Sequence, residues 1–560
     1  MRDMGALLLG PVLRYVDETT ASVWVELAER GEASLVLTAA SGEQIQRRHH
    51  TFTVHGHHYV LLEVDELEPG SSYTYEVVVE GTTVWPPPRS AYPASRIRTL
   101  DPHGPLRLLF GSCRTSVPHD AQGNRTHGLD TLRVYALAMA ESEPERWPTL
   151  MLFLGDQVYA DETSERMQEF IEARRDIEKP PYDELQDYQE YAHLYRLAWT
   201  DPANRWLLST LPSAMIFDDH DIRDDWNTSA VWREEINATP WWHDRIVGGL
   251  ASYWVYQHLG NLSPRERADD ELAVEVRRVG RDGDAGELLD AFADRTDREP
   301  EFGRWSYHRD LAGSRVIVLD TRCARVLDES CRKMLDQQEM TWFASLATGD
   351  VDHLLIASSL PFLLPMGLHH LEAWNEAVTK GVWGARAARW GEKVRQGVDL
   401  EHWAAFQDSF QRVAEIVQSV ARGERGAAPA TVTFLSGDVH HSYLAEVKGV
   451  TDRADAEADR PARLLQAVCS PIRNPLPRAI RLASATAAYG LAWPMGRLVA
   501  RSARVPRPPF RWSLINGPWF DNAIATLDID GRRARLRWDT AHEDPDGTPK
   551  LSVVQTATLS

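Results

Sequence analysis

Two stretches set carboxylates beside other metal-binding donors. In LFLGDQVYADE, residues 152–162, Asp156 follows a glycine and Tyr159 lies three positions on. A carboxylate there can bridge two cations, and a phenolate is a hard oxygen donor suited to a trivalent ion. The plainer alternative makes Asp156 a loop cap and Tyr159 a packing residue. In FDDHDIRDDWN, residues 217–227, five acids (Asp218, Asp219, Asp221, Asp224 and Asp225) surround His220. So much negative charge at a strand end is costly unless cations or arginine offset it. A solvated acidic loop is the alternative, but apolar AMIF before the run and Trp226 near its end point to partial burial.

Two more stretches extend the pattern. FLSGDVHHSYLAEV, residues 434–447, places Asp438 and His440 two apart on a loop leaving a strand. Carboxylate and neutral imidazole are usual ligands for mid-sized cations. His441 is placed to orient its neighbour or to touch a substrate. In FGSCRTS, residues 110–116, Cys113 closes a strand and Arg114 follows. The thiolate reads either as a nucleophile or as a metal ligand. The Cys-to-Arg signature of cysteine phosphatases is missing, which favours the ligand.

These donors need elements to carry them. LRLLFGSC, TLMLFLGD, AMIFDDH, RVIVLDTR, HLLIASS and TVTFLSGDVHH are short apolar runs, each ending in Cys, Asp, Ser, His or Arg. Such runs predict buried strands, and in layered α/β folds sites lie beyond the strands' carboxyl ends. Between them, Trp403, Phe406, Phe410, Val413, Val417 and Val420 fall three or four apart and predict a helix face. Upstream, residues 6 to about 100 alternate apolar and polar positions, predicting a small all-β domain. There LEPGSSYTYEV, residues 67–77, resembles the tyrosine corner of a fibronectin- or immunoglobulin-like sandwich. The charged stretch from about 264 to 301 and the loop TDRADAEADRPAR read as surface insertions, and ATLDIDGRRARLRWDT as a hairpin turning at Asp-Gly.

Composition bounds the rest. The chain has 560 residues, 43% apolar and 26% charged, with a formal net charge of −21. That balance argues against a nucleic-acid-binding surface, yet metal ions can supply local positive charge for a phosphorylated small molecule. Four cysteines in no CxxC spacing point to free thiols rather than a disulfide framework. With no cleavage site and no apolar run of spanning length, a cytoplasmic location is expected.

Taken in order, GDQVYAD, DDHDIRDDW and GDVHHS resemble the alkaline phosphatase D family of the calcineurin-like metallophosphatases, over roughly residues 105–445. The resemblance implies an α/β fold: a four-layer αββα sandwich at 105–560, preceded by the β-sandwich domain at 1–100. It implies a phosphoric-ester hydrolase with two metal ions. Cys113, Asp156, Tyr159 and His440 would hold Fe(III), and Asp156 would bridge to Ca(II) completed by Asp438 and Asp219. Family members often carry Asn where this chain has Asp224 and Asp225, so either could replace Asp219. His220 would protonate the leaving group, and Arg114 and His441 would contact substrate. The alternative is a degenerate metal-binding scaffold whose N-terminal module does the binding. Residues 471–511 hold eight arginines and no acid. They read either as a lid touching an anionic or lipid-like surface, or as packed helices whose arginines meet acidic neighbours. Oligomeric state is left open.

Overall fold

The structure, a computed structural model, describes residues 7–449, 461–476 and 492–560. Most of the TDRADAEADRPAR loop, and the middle of the arginine-rich segment at 477–491, lie outside the described residues.

The apolar runs form strands of two sheets. In the first, Ser213–Ile216, Leu150–Leu154 and Leu106–Gly111 are parallel, and the antiparallel strands Ala523–Asp530, Arg533–Glu543 and Pro549–Thr558 extend the sheet. In the second, Ser314–Leu319, His353–Ser358, Thr431–Ser436 and Arg463–Val468 are parallel. Tyr307–Leu311 flanks them on one side, with Ser442–Lys448 and Arg511–Trp519 on the other.

Alternation along the second sheet decides the layering, because successive side chains point to opposite faces. Val316, Val318, Leu355, Ala357 and Leu435 join one core with Leu108, Phe110, Leu152 and Leu527 of the first sheet. Their neighbours Ile317, Leu319, Leu354, Ile356 and Phe434 join another core with Phe410, Val413 and Val417 of the helix Gln407–Ala421. The sheets therefore pack face to face with helices outside, as expected. The Asp530–Gly531 hairpin joins two inner strands of the first sheet, whose edge is Pro549–Thr558, with Gly531 at φ +56° where a side chain would strain the turn.

The N-terminal residues form two facing β-sheets around Leu13, Val23, Leu35, Leu62 and Val77. The Tyr73 hydroxyl accepts a hydrogen bond from the Glu68 amide at 3.0 Å, which is the expected corner. This unit is bonded into the rest of the chain. Trp24 and Tyr59 belong to the main core, the Arg14 guanidinium donates to Gln257 O and Asn261 Oδ1, and buried Glu26 pairs with Arg196 and His57.

The stretch at 264–301, expected as a surface insertion, holds three helices, Pro264–Asp269, Glu271–Asp282 and Gly286–Arg298. Ala273, Val276, Leu289 and Ala293 recur at helical spacing and are buried beside the strand Phe52–Val54 and the helix Trp242–Tyr253. Most of the charge occupies their outer faces, while Arg267 is buried against Glu63. All four cysteines are free, Cys331 exposed and the others buried. Among the described residues, no helix is long and apolar enough to cross a membrane.

Candidate metal centre

The loops that leave Leu106–Gly111, Leu150–Leu154, Ser213–Ile216 and Thr431–Ser436 meet at one end of the sandwich. Main-chain bonds tie them together: Cys113 N donates to Gly155 O at 3.3 Å, Arg114 N to Asp156 O at 3.0 Å, and Ala160 N to His220 O at 2.8 Å. The approach is so close that a Cβ on Gly155 would sit 2.7 Å from the Asp218 Cβ, and one on Gly437 only 1.9 Å from the Ser112 Oγ. Glycine before Asp156 and before Asp438 is thus a steric requirement.

Cys113, Asp156, Asp438 and His440 all take positive φ, between +49° and +64°. Non-glycine residues adopt this region at a cost of about 1–3 kcal/mol each, and such strain clusters at functional sites. Here it turns four side chains from three loops toward one region.

Ligand atoms of Cys113, Asp156 and His440 lie within 4.8 Å of one another, and so do those of Asp156, Asp218 and Asp219. Asp156 belongs to both groups. Tyr159 joins through its hydroxyl, 3.4 Å from Asp156 Oδ2. The centre is almost wholly buried, and burial raises the Cys113 thiol and the Asp156 and Asp218 carboxyls well above their usual ranges. Burial lowers His440 to about 4, leaving it neutral with a free lone pair. Asp156 Oδ1, Asp218 Oδ2 and His440 Nδ1 are buried with no hydrogen-bond partner. Thiol, carboxylate, phenol and imidazole with unspent acceptor atoms form a donor set that fits cations.

Supporting residues surround the cluster. Asp221 accepts from the amides of Asp156 and Asp218, both at 2.9 Å, so it fastens two loops instead of facing the centre. Arg322, fully buried, pairs with Asp218 at 2.5 Å, Asp219 at 3.1 Å and Glu401 at 2.6 Å, and is the positive charge inside the acidic loop. His402 links Glu372 and Asp438 at 2.8 and 2.9 Å. Burial opposes a charge on His402, but the two carboxylates outweigh it and hold its pKa well above normal. Asp438 points at this histidine and lies outside both close groups.

His220 faces a cavity of about 350 Å³ lined also by Asp161, Glu184, Arg223, Asp224 and Asp225. Its Nδ1 is 2.9 Å from Asp161 Oδ1, and its ring lies against Tyr159. Burial works against the imidazolium, yet Asp161 foremost raises its pKa well above normal. Asp224 is exposed, while Asp225 Oδ1 is buried without a partner and its amide donates to Asp219. His441 donates from Nδ1 to Val439 O at 2.7 Å and rests beside Phe520, its Nε2 buried and unpartnered.

Arg114 corrects an expectation. Its Nε and Nη2 both reach Asp130 Oδ2, at 3.0 and 2.8 Å, and Nη1 donates to Ala198 O. The residue is 3% exposed, so it is committed to a buried ion pair and not to substrate. The sequence reading gave no role to Asp161, Arg322, Glu372, Glu401 or His402. Only Asp161, inside GDQVYAD, and Arg322, at the end of LDTR, sat in stretches that signalled a site.

No curated protein matches the chain by sequence. A solved structure described as "Structure of PhoD" superposes with a TM-score of 0.58 at 12% identity, covering 99% of this chain and 90% of that one, which speaks to the fold. Residues 4–97 match a family described only as a domain of unknown function (DUF7800). Residues 127–489 match the PhoD-like phosphatase model, well over half of the sequence, so the chain belongs to the PhoD-like phosphatases and is a hydrolase of phosphoric esters.

Proposed function

We propose that the chain hydrolyses small phosphoric esters, mono- or diesters, at a dinuclear centre with Asp156 between the two ions. The observation that carries this is the membership of Asp156 in two of the three close donor groups, one with Cys113 and His440 and one with Asp218 and Asp219. Cys113, Asp156, Tyr159 and His440 suit Fe(III), since a thiolate and a phenolate together favour a trivalent ion; the all-oxygen side, Asp156, Asp219 and Asp438, suits Ca(II). Asp218, which lies within the same 4.8 Å group, competes with Asp438 for the second ion. When bound, such ions supply positive charge to phosphoryl oxygens and acidity to water.

The chain's own residues do the remainder. His220, held protonated by Asp161, donates a proton from Nε2 to the departing oxygen. The cavity beside it receives the leaving group, and Arg223 on its wall lies close to developing negative charge. His441 accepts a hydrogen bond from substrate through Nε2. In this reading residues 1–100 are a β-sandwich domain and 105–560 the catalytic domain.

Elemental analysis of the purified protein, followed by a panel of chromogenic mono- and diesters with and without added Ca(II), tests the proposal. It expects iron and calcium in near-equal amounts and turnover that disappears with a chelator. Full turnover in protein stripped of both ions would sink the dinuclear reading.

A further inference from the structure

One face of the molecule combines exposed apolar side chains and cations in a way that the catalytic centre does not use. It is built from the helices Met366–Thr379, Ala385–Gly397 and Ala492–Ser502. Trp374 and Val378 pack with Ala500 and Ala503 to hold the three together. Trp383 and Trp390 both lie against Trp374, with ring centroids 5.6 and 5.9 Å away, and Trp383 Nε1 donates to Ser502 O. Yet these two rings are 46% and 54% exposed, and Val382 next to Trp383, Val398 at the end of the second helix and Leu498 on the third are exposed at 48%, 56% and 65%. Large apolar groups grouped on an open face mark a contact surface.

The charge around them is unlike that of the whole chain. Arg386, Arg389, Lys393, Arg501, Arg504 and Arg507 are all exposed, and none is paired with a carboxylate among the described residues. Residues 492–511 contain no acid. Between 377 and 398 the one acid, Glu392, turns inward to Arg395 and Ser229. On the helix, Arg386 and Lys393 stand four before and three after Trp390, so they flank it on one side. A chain of net charge −21 has thus gathered cations and indole rings on one face.

We propose that this face docks on the surface of an anionic phospholipid bilayer. Indole rings, apolar with one polar edge, settle at the level of lipid headgroups, and arginines and lysines beside them meet anionic headgroups. A nucleic acid would satisfy the cations but would leave Val382, Val398 and Leu498 without partners. The arrangement also has a direction. Glu372 on the helix Met366–Thr379 reaches His402 and through it Asp438, whereas Trp374 and Val378 of the same helix support the docking face. A lipid surface held there lies one helix away from the metal centre. This inference is independent of the catalytic reading.

The test is cosedimentation of the full-length protein with vesicles of phosphatidylcholine alone and of phosphatidylcholine mixed with phosphatidylglycerol. The expected result is pelleting with the mixed vesicles only, weakened by salt. W383A/W390A should lower the partition coefficient at least about tenfold. R386E/R389E should lower it at least about 25-fold, about fivefold for each cation removed. Both variants should keep wild-type turnover of a soluble chromogenic ester, which reports correct folding and separates this test from that of the catalytic proposal. No pelleting with either vesicle would overturn the proposal. So would equal pelleting with both, or binding indifferent to the tryptophans and lost only on charge reversal, the mark of a general polyanion site.

Discussion

His402 Nε2 lies 2.9 Å from Asp438 Oδ2, and the same ring reaches Glu372 through Nδ1 at 2.8 Å, so a buried carboxylate–imidazole–carboxylate chain runs up to the metal centre. Partners behind a ligand fix its orientation, and losing one typically lowers metal affinity about 10–100-fold. In the proposed dinuclear centre, with Asp438 holding calcium, His402→Gln and Glu372→Gln should both weaken calcium binding within that range while leaving iron in place. Metal content measured against free calcium concentration checks this, and unchanged calcium affinity would remove His402 from the site's support.

Asp156→Asn keeps the size of the side chain and removes its charge. Both metals should fall away together, and turnover should drop more than about 100-fold, beyond the loss expected for an outer partner. If one metal stays at full occupancy, Asp156 is not shared. Tyr159→Phe should bleach any visible colour of the iron-loaded protein.

Asp161 raises the pKa of His220. In the proposed donor role the protonated imidazole is the active form, so activity should be lost as pH rises through that pKa. Asp161→Asn should move this loss to lower pH and reduce kcat about tenfold, with little change for esters of strongly acidic leaving groups. A pH profile superposable on wild type would contradict the donor role.

Arg114 and Asp130 form a pair with side chains 4% and 1% exposed. Breaking a buried pair by removing one partner costs about 3–5 kcal/mol. Arg114→Met should therefore lower the urea midpoint strongly, while the protein that remains folded keeps its KM. A raised KM at unchanged stability would restore Arg114 to the substrate.

His353 is buried, with Nδ1 near Thr431 Oγ1 and Nε2 near Gly531 O, and burial lowers its pKa to about 4. The native state thus resists protonation that the unfolded chain accepts near pH 6.5. Its stabilisation is complete above pH 6.5 and is lost as pH falls toward 4, a change of about 3 kcal/mol. His353→Gln should flatten the stability curve in that interval, as read by urea unfolding.

The residues that were legible from sequence lie where local pattern and chemistry coincide. Asp156, Asp438 and His440 each follow a buried strand and a glycine, and short unbroken apolar runs placed the two sheets that carry them. Arg114 misled because its position beside Cys113 says nothing about direction: the backbone at Cys113 turns left-handed, and the arginine departs toward Asp130. His402 and Glu372 stayed hidden because they approach Asp438 from a loop and a helix upstream of it in the chain, where a lone histidine carries no periodic signal. The helices between 264 and 298 were obscured by the density of charge on their outer faces, although their apolar spacing was present.

Arg14, Glu26, Trp24 and Tyr59 bind the N-terminal β-sheets to the interior of the following fold. A protein trimmed to the phosphatase match at 127–489 would lose the strand Leu106–Gly111 and every strand after Arg463–Val468. It would also leave Glu26's partner Arg196 without its counter-ion and take Trp24 and Tyr59 away from the Tyr256 ring. For anyone expressing this enzyme, the smallest workable unit extends far beyond the part that carries its signature.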